Sequence, residues 1–322
     1  MPDAVTITNG KAEMAYTGAK PWHGLGTQVQ QAMTAEEALQ AASLDWEVTT
    51  RPIYLSDNTK IEDHVATVRQ DTKAVLGIVG HRYTPLQNRD AFSFLDSMVG
   101  EKAAMYETVG SLHGGRRVWL LAKLPESVAV AGKDVIDQYL LLANGHDGSL
   151  ALTVQFTPVR VVCNNTLTAA LSKGSKFRSL HTVNIKDRTG EAQRVLGLAS
   201  SYFENFVRDA EMLTRVQFNT IQTCHVLGEV YHVHQDRLNQ IRLEGGKLNN
   251  EKALLESLRL AEEGVGNEQF PGTAWALYNG ITEYLDHHRP VKTSTRTEGS
   301  WFGTEARVRQ RAWDLITAVA TR

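Results

Sequence analysis

A chain of 322 residues is long enough for one large domain or two ordinary ones. Its 42% hydrophobic and 22% charged residues lie near globular averages, which excludes wholesale disorder. The formal net charge of −2 excludes attraction to nucleic acid or membrane by overall charge, so polyanion binding requires local basic patches.

Two cysteines, Cys163 and Cys224, stand far apart, which is no disulfide framework and fits a reducing cytosol. The opening MPDAVTITNG lacks a charged-then-apolar signal, and no stretch approaches the ~18–20 consecutive apolar residues of a membrane helix. The expectation is a soluble protein of the cytoplasm.

In chain order, the segment Lys20 to Gly26 reads as an ordered loop. Thr34-Ala35-Glu36-Glu37 opens a short helix as a reciprocal capping box, running to about Leu44. Three strands follow: Trp46 to Leu55 with Pro52 marking an edge or bulge, Val65 to Arg69, and Ala74 to Val79. Asn88 is placed to cap a helix carrying Phe92, Leu95 and Val99 at helical spacing. Met105 to Leu112 and Arg117 to Leu124 flank a hairpin tip at His113-Gly114-Gly115. Tyr139 to Ala143 and Leu150 to Phe156 flank the turn-rich Asn144-Gly145-His146-Asp147-Gly148. Pro158 to Cys163 continues extended, and Asn164-Asn165-Thr166 is placed to cap a helix through about Leu171.

After roughly residue 190 the pattern turns helical. One helix is marked by Val195, Leu198, Tyr202, Phe206 and Leu213, and another by Leu254, Leu255 and Leu258, ending near Gly264. Trp275, Tyr278, Ile281 and Leu285 mark a third, closed by Pro290, and Val308, Leu315, Ile316 and Val319 mark the last. The fold class expected is α+β: an antiparallel β-sheet core with packed helices over 1–190, then a mainly helical region over 191–322.

Several of these segments recur as a set. They are Pro21-Trp22-His23-Gly24-Leu25-Gly26, Leu44-Asp45-Trp46-Glu47-Val48, Val79-Gly80-His81-Arg82-Tyr83 with Leu86-Gln87-Asn88, Asn144 to Ser149, and Thr157 to Leu167. Weaker similarity continues through Gly272-Thr273 and Asn279 to Phe302-Gly303. In this set the chain resembles the phage- and plasmid-borne family called domain of unknown function 932. The resemblance implies a mobile-element setting in a bacterial host. The strand-strand-strand-helix order is also similar to the core of single-strand annealing recombination proteins, an analogy of element order alone.

Each candidate motif has a functional and a structural reading. Arg160 with Asn164 and Asn165 could hold a phosphate or base edge, or serve an internal ion pair and a helix cap. Cys163 with His146 could be nucleophile and base, or a buried thiol and a turn residue. His225, Glu229 and His232 share a helical face with Cys224 and His234 near it, but their spacing is not the zinc-protease pattern. No phosphate-cradling or dinucleotide glycine loop occurs, which disfavours ATP-driven or nicotinamide chemistry. Basic clusters carry more weight: Arg116-Arg117; Lys173, Lys176 and Arg178; Arg289, Lys292 and Arg296; and Arg307, Arg309 and Arg311. Trp119, Phe177, Trp301, Phe302 and Trp313 stand near them as candidate stacking platforms.

The leading expectation is therefore a non-enzymatic, homo-oligomeric protein that binds or anneals single-stranded DNA in recombination or replication of a mobile element. Its contacts are expected at Arg116, Arg117, Arg160, Asn164, Asn165, Lys173, Lys176 and Arg178, with no cofactor, metal or membrane. The alternatives are a module that blocks a host protein and a cysteine- or histidine-dependent enzyme.

Overall fold

The computed structural model describes residues 5–17, 25–30, 34–99, 105–160, 165–166, 176–179, 203–290 and 304–322. The chain divides into two compact units. The first comprises Met1–Pro125, Tyr139–Phe156 and Gly174–Ala199, and the second Glu126–Gln138, Thr157–Lys173 and Ser200–Arg322. The boundary expected near residue 190 lies outside the described residues.

The first unit opens with short strands β1 (Ile7–Thr8), β2 (Lys11–Ala12), β3 (Met14–Tyr16) and β4 (Thr27–Gln28). Helix α1 (Ala35–Ala41) follows, with the expected capping box: Thr34 Oγ1 accepts from the Glu37 amide, and the Glu37 carboxylate accepts from the Thr34 amide. Strands β5 (Val48–Tyr54), β6 (Lys60–Arg69) and β7 (Val75–Gly80) form a separate antiparallel sheet. The register slips between Pro52 and Ile53 on this edge strand, a place where a residue lacking its N–H is tolerated. Helix α2 (Asn88–Val99) completes the strand-strand-strand-helix order.

The larger sheet adds β8 (Met105–Leu112), β9 (Arg117–Val130), β10 (Asp134–Gly145), β11 (Leu152–Arg160), β12 (Asn165–Thr166) and β13 (Lys176–Ser179). Its order is β12-β11-β10-β9-β8-β3-β4, with β13 also paired to β11. β11 pairs antiparallel with β12 and β13, as β8 does with β3 and β9, while β3 and β4 run parallel. Residues 126–138 and 157–160 of these strands group with the second unit. Tyr139-Leu140-Leu141-Leu142-Ala143 is buried throughout, the continuous run expected of a strand covered on both faces. Asn165 and Thr166 pair with Arg160 and Val159, which corrects the expected helix cap: this segment is strand.

One buried ion pair ties the first strands to the small sheet. Arg69, 2% exposed, donates to Glu13 and to Asp71, while Glu13 also accepts from Thr8 Oγ1 at 2.7 Å and Ser111 Oγ at 2.6 Å. The Arg69 guanidinium lies 4.2 Å from the Trp46 ring centroid, which adds a cation–π contact. Gly115 reaches this stack with φ at +94°, and a Cβ there would stand 3.2 Å from the Trp46 ring.

In the second unit the helices are α3 (203–215), α4 (Thr220–Tyr231), α5 (Gln235–Glu244), α6 (Asn249–Glu263), α7 (Ala274–Glu283) and α8 (Thr304–Ala320). A π-helical turn, Tyr284–His288, extends α7, so that helix ends just before Pro290. The core is aromatic: Trp313 packs 5.1 Å from Phe206 and 5.0 Å from Tyr278, and Trp275 donates to Asp134 at 2.8 Å. The fold class is α+β with a helical C-terminal region, as the pattern predicts. Among the described residues no helix is long and apolar enough to cross a membrane.

Removing one partner of a buried ion pair leaves the other charge uncompensated. Glu13→Ala should therefore cost about 3 kcal/mol, the low end for such losses because Asp71 stays with Arg69. Denaturant melts read this directly, and an unchanged midpoint contradicts it. In the second unit, the amide of Leu248, then Arg237 and the Lys247 amide, hold the Glu251 carboxyl at about 2 against an ordinary 4.5. A lowered folded-state pKa makes the unfolded chain bind protons first, so this contribution is complete above about pH 4.5 and fades toward pH 2. Melts of Glu251→Gln should converge on wild type as pH falls through that window.

Candidate nucleic-acid interface

The motif residues of the first unit converge on the turn between β10 and β11. Asn88, the first residue of α2, does not cap that helix, which corrects the sequence expectation. Its Nδ2 donates to the Leu44 carbonyl at 2.9 Å, and its Oδ1 accepts from His146 Nε2 at 2.9 Å. An amide oxygen only accepts, so in this arrangement the imidazole carries a proton on Nε2. Neighbouring motif residues make equivalent long-range bonds. Asn144 Nδ2 donates to the Leu86 carbonyl at 3.1 Å, Tyr83 donates to Gly145 O at 2.9 Å, and the Gln87 amide exchanges two bonds with Val48. His146 lies edge-on to Trp46, with ring centroids 5.4 Å apart. Asp147 runs so close to β7 that a Cβ on Gly77 would fall 2.6 Å from its Cα.

This turn is bonded to the β8–β9 tip. The His146 amide donates to Arg116 O at 2.8 Å, and Arg117 Nη2 donates to Ser149 Oγ at 3.1 Å. Ser149 in turn donates from N and Oγ to Asp147 Oδ1, at 2.9 and 2.6 Å. Arg116 is exposed and Arg117 half-buried, side by side at the start of β9. His113, exposed at the tip with φ at +55°, completes the cluster. Burial, then Arg117 and Arg116, push its pKa below the ordinary imidazole value, while Asp147 pulls it upward.

The other expected contacts divide. Arg178 is exposed on β13, opposite Thr153 of β11, and Lys176 lies on the same strand opposite Gln155. The strand order separates β13 from β9 by β11 and β10, three spacings or about 14 Å. Arg160 ends β11 directly across from Asn165 of β12, and both belong to the second unit. Asn164 and Lys173 lie outside the described residues, as do Cys163, Lys292, Arg296, Trp301 and Phe302. Among the described residues Arg116 and Arg178 make no ion pair.

Several expected binding groups prove structural. Trp119, Phe177 and Trp313 are 4%, 2% and 5% exposed, which removes them as platforms for bases. In the C-terminal basic clusters Arg309, fully buried, pairs with Asp286 and Arg289 pairs with Glu305, whereas Arg307 is exposed. Arg311 donates to His232 Nε2 at 2.6 Å and lies 3.7 Å from Glu229, so two groups of the proposed metal-type face hold a guanidinium. Among the described residues no group of three His, Cys, Asp or Glu is disposed to hold a metal. Cys224 opens on a cleft of about 180 Å³ with Phe218, Leu258 and Leu277, and no histidine is among its described lining residues. The signal sequence reasoning missed is His113, readable only once Asp147 and the two arginines are known to meet it.

Truncating Asn88 strands a buried imidazole donor and a carbonyl. Asn88→Ala should cost about 2 kcal/mol or more, while Asn88→Ser loses as much because its hydroxyl cannot reach both partners. Thermal melts of the two variants check this, and loss confined to Ala contradicts it.

Comparison with curated proteins and with solved structures gives no match. The family model described as "Domain of unknown function (DUF932)" matches residues 75–313. That span holds α2, the β8–β9 tip, the β10–β11 turn and most of the helical region, and the chain belongs to the DUF932 family.

Proposed function

We propose that this protein binds or anneals single-stranded DNA during recombination or replication of a phage or plasmid, in the cytoplasm of a bacterial host. The observation that carries the reading is Arg116 beside Arg117 at a fixed strand start, with Arg117 oriented by a serine hydroxyl. Arg69, Arg289 and Arg309 are held by carboxylates, whereas Arg116 and Arg178 are exposed and make no ion pair among the described residues. These cations would engage the sugar–phosphate backbone and lower repulsion between strands, leaving base edges able to pair. With Trp119, Phe177 and Trp313 in the core, the reading rests on phosphate contacts by these cations, which are tolerant of sequence. Subunits would assemble along the strand as a homo-oligomer. The second reading, a module that blocks a host protein, draws on Ile221, Leu243 and Leu248, which are 79%, 88% and 61% exposed.

Fluorescence anisotropy with a labelled oligonucleotide tests the first reading. Binding should weaken steeply with salt, and Arg116→Ala with Arg117→Ala should flatten the log–log salt slope by about 1.4. No binding at low salt overturns the proposal. A host protein that stays bound after nuclease treatment would favour the second.

A further inference from the structure

We propose that His113 is a titratable third cation of the Arg116–Arg117 patch, so that binding of a phosphate strand takes up a proton. This rests on the nucleic-acid reading above and adds a regulation to it. The geometry is a cluster joined across two loops: the tip His113-Gly114-Gly115, the strand start Arg116-Arg117, and the turn holding Asp147 and Ser149. Among the described residues the charged groups near His113 include Arg117 at the start of β9, Arg116 just before it and Asp147 on the β10–β11 turn. In the free protein partial burial, then the two guanidiniums, disfavour a third positive charge there, and one carboxylate offsets them only in part. An arriving phosphate reverses that balance, because it neutralises the arginines and presents oxygens that accept from a protonated ring.

Linkage then fixes the sign. Binding raises the pKa of His113, so affinity is lowest where the ring is neutral in both states and highest where it is charged in both. Each unit of upshift makes binding about tenfold tighter across the titration. The left-handed backbone at His113 restricts the test variant, and asparagine adopts that conformation readily.

The experiment measures oligonucleotide affinity of wild type and His113→Asn from about pH 8 to about pH 5.5, the range where histidine titrates. Wild type should tighten several-fold more than His113→Asn over that range, and the His113 ring resonance should titrate higher with oligonucleotide bound. Asp147→Asn, which keeps the oxygen that Ser149 uses, should move the wild-type transition to lower pH. Binding with identical pH profiles in wild type and His113→Asn overturns the proton linkage and leaves the strand-binding reading standing. Absence of binding at every pH overturns both.

Discussion

The side chain of Asn88 is the joint on which the first unit turns. One amide group reaches the end of the α1 segment through Leu44 and the β10–β11 turn through His146, both without exposure to water. A donor and an acceptor buried together can be satisfied by few arrangements, so the joint specifies where these segments meet as well as stabilising them. From His146 the chain of contacts runs through Trp46 to Arg69 and from there to Glu13. The first strands, the small sheet, α2 and the turn are thereby fixed around one polar stack within an apolar core.

That stack bears on the proposed strand binding because the His146 amide is bonded to the Arg116 carbonyl. The tip that carries His113, Arg116 and Arg117 rests on a turn held from behind by buried side chains, so under the proposed reading its backbone need not be ordered on binding. Elsewhere the chain uses arginine differently. Arg69 and Arg309 are buried against carboxylates and serve the fold, which is how a nearly neutral protein keeps a local basic surface without a basic composition.

What was legible in the sequence was local. The Thr34–Glu37 capping box, the Pro52 slip, the His113-Gly114-Gly115 tip and the helix ending at Gly264 each depend on partners a few residues away. What was not legible was the choice of distant partners. Asn88 has the composition of a cap and sits at a helix start, yet its side chain serves Leu44 and His146. Trp119 and Trp313 stand near arginines in sequence but turn into the core, and Arg309 and Arg311 find Asp286, His232 and Glu229 from other helices. Asn165 carries cap chemistry too, but pairing with Arg160 makes it strand. Composition shows that a basic side chain is present, and only the fold shows whether a carboxylate reaches it.

The central claim is that buried side chains hold the β10–β11 turn rigid beneath the cationic tip. Hydrogen exchange at the His146 amide tests it most directly, since that N–H is bonded to Arg116 O and its residue has no exposed surface. The account predicts exchange as slow as that of the neighbouring β9 and β10 amides. Exchange at the rate of an open surface loop would contradict it, because the tip would then have no fixed support.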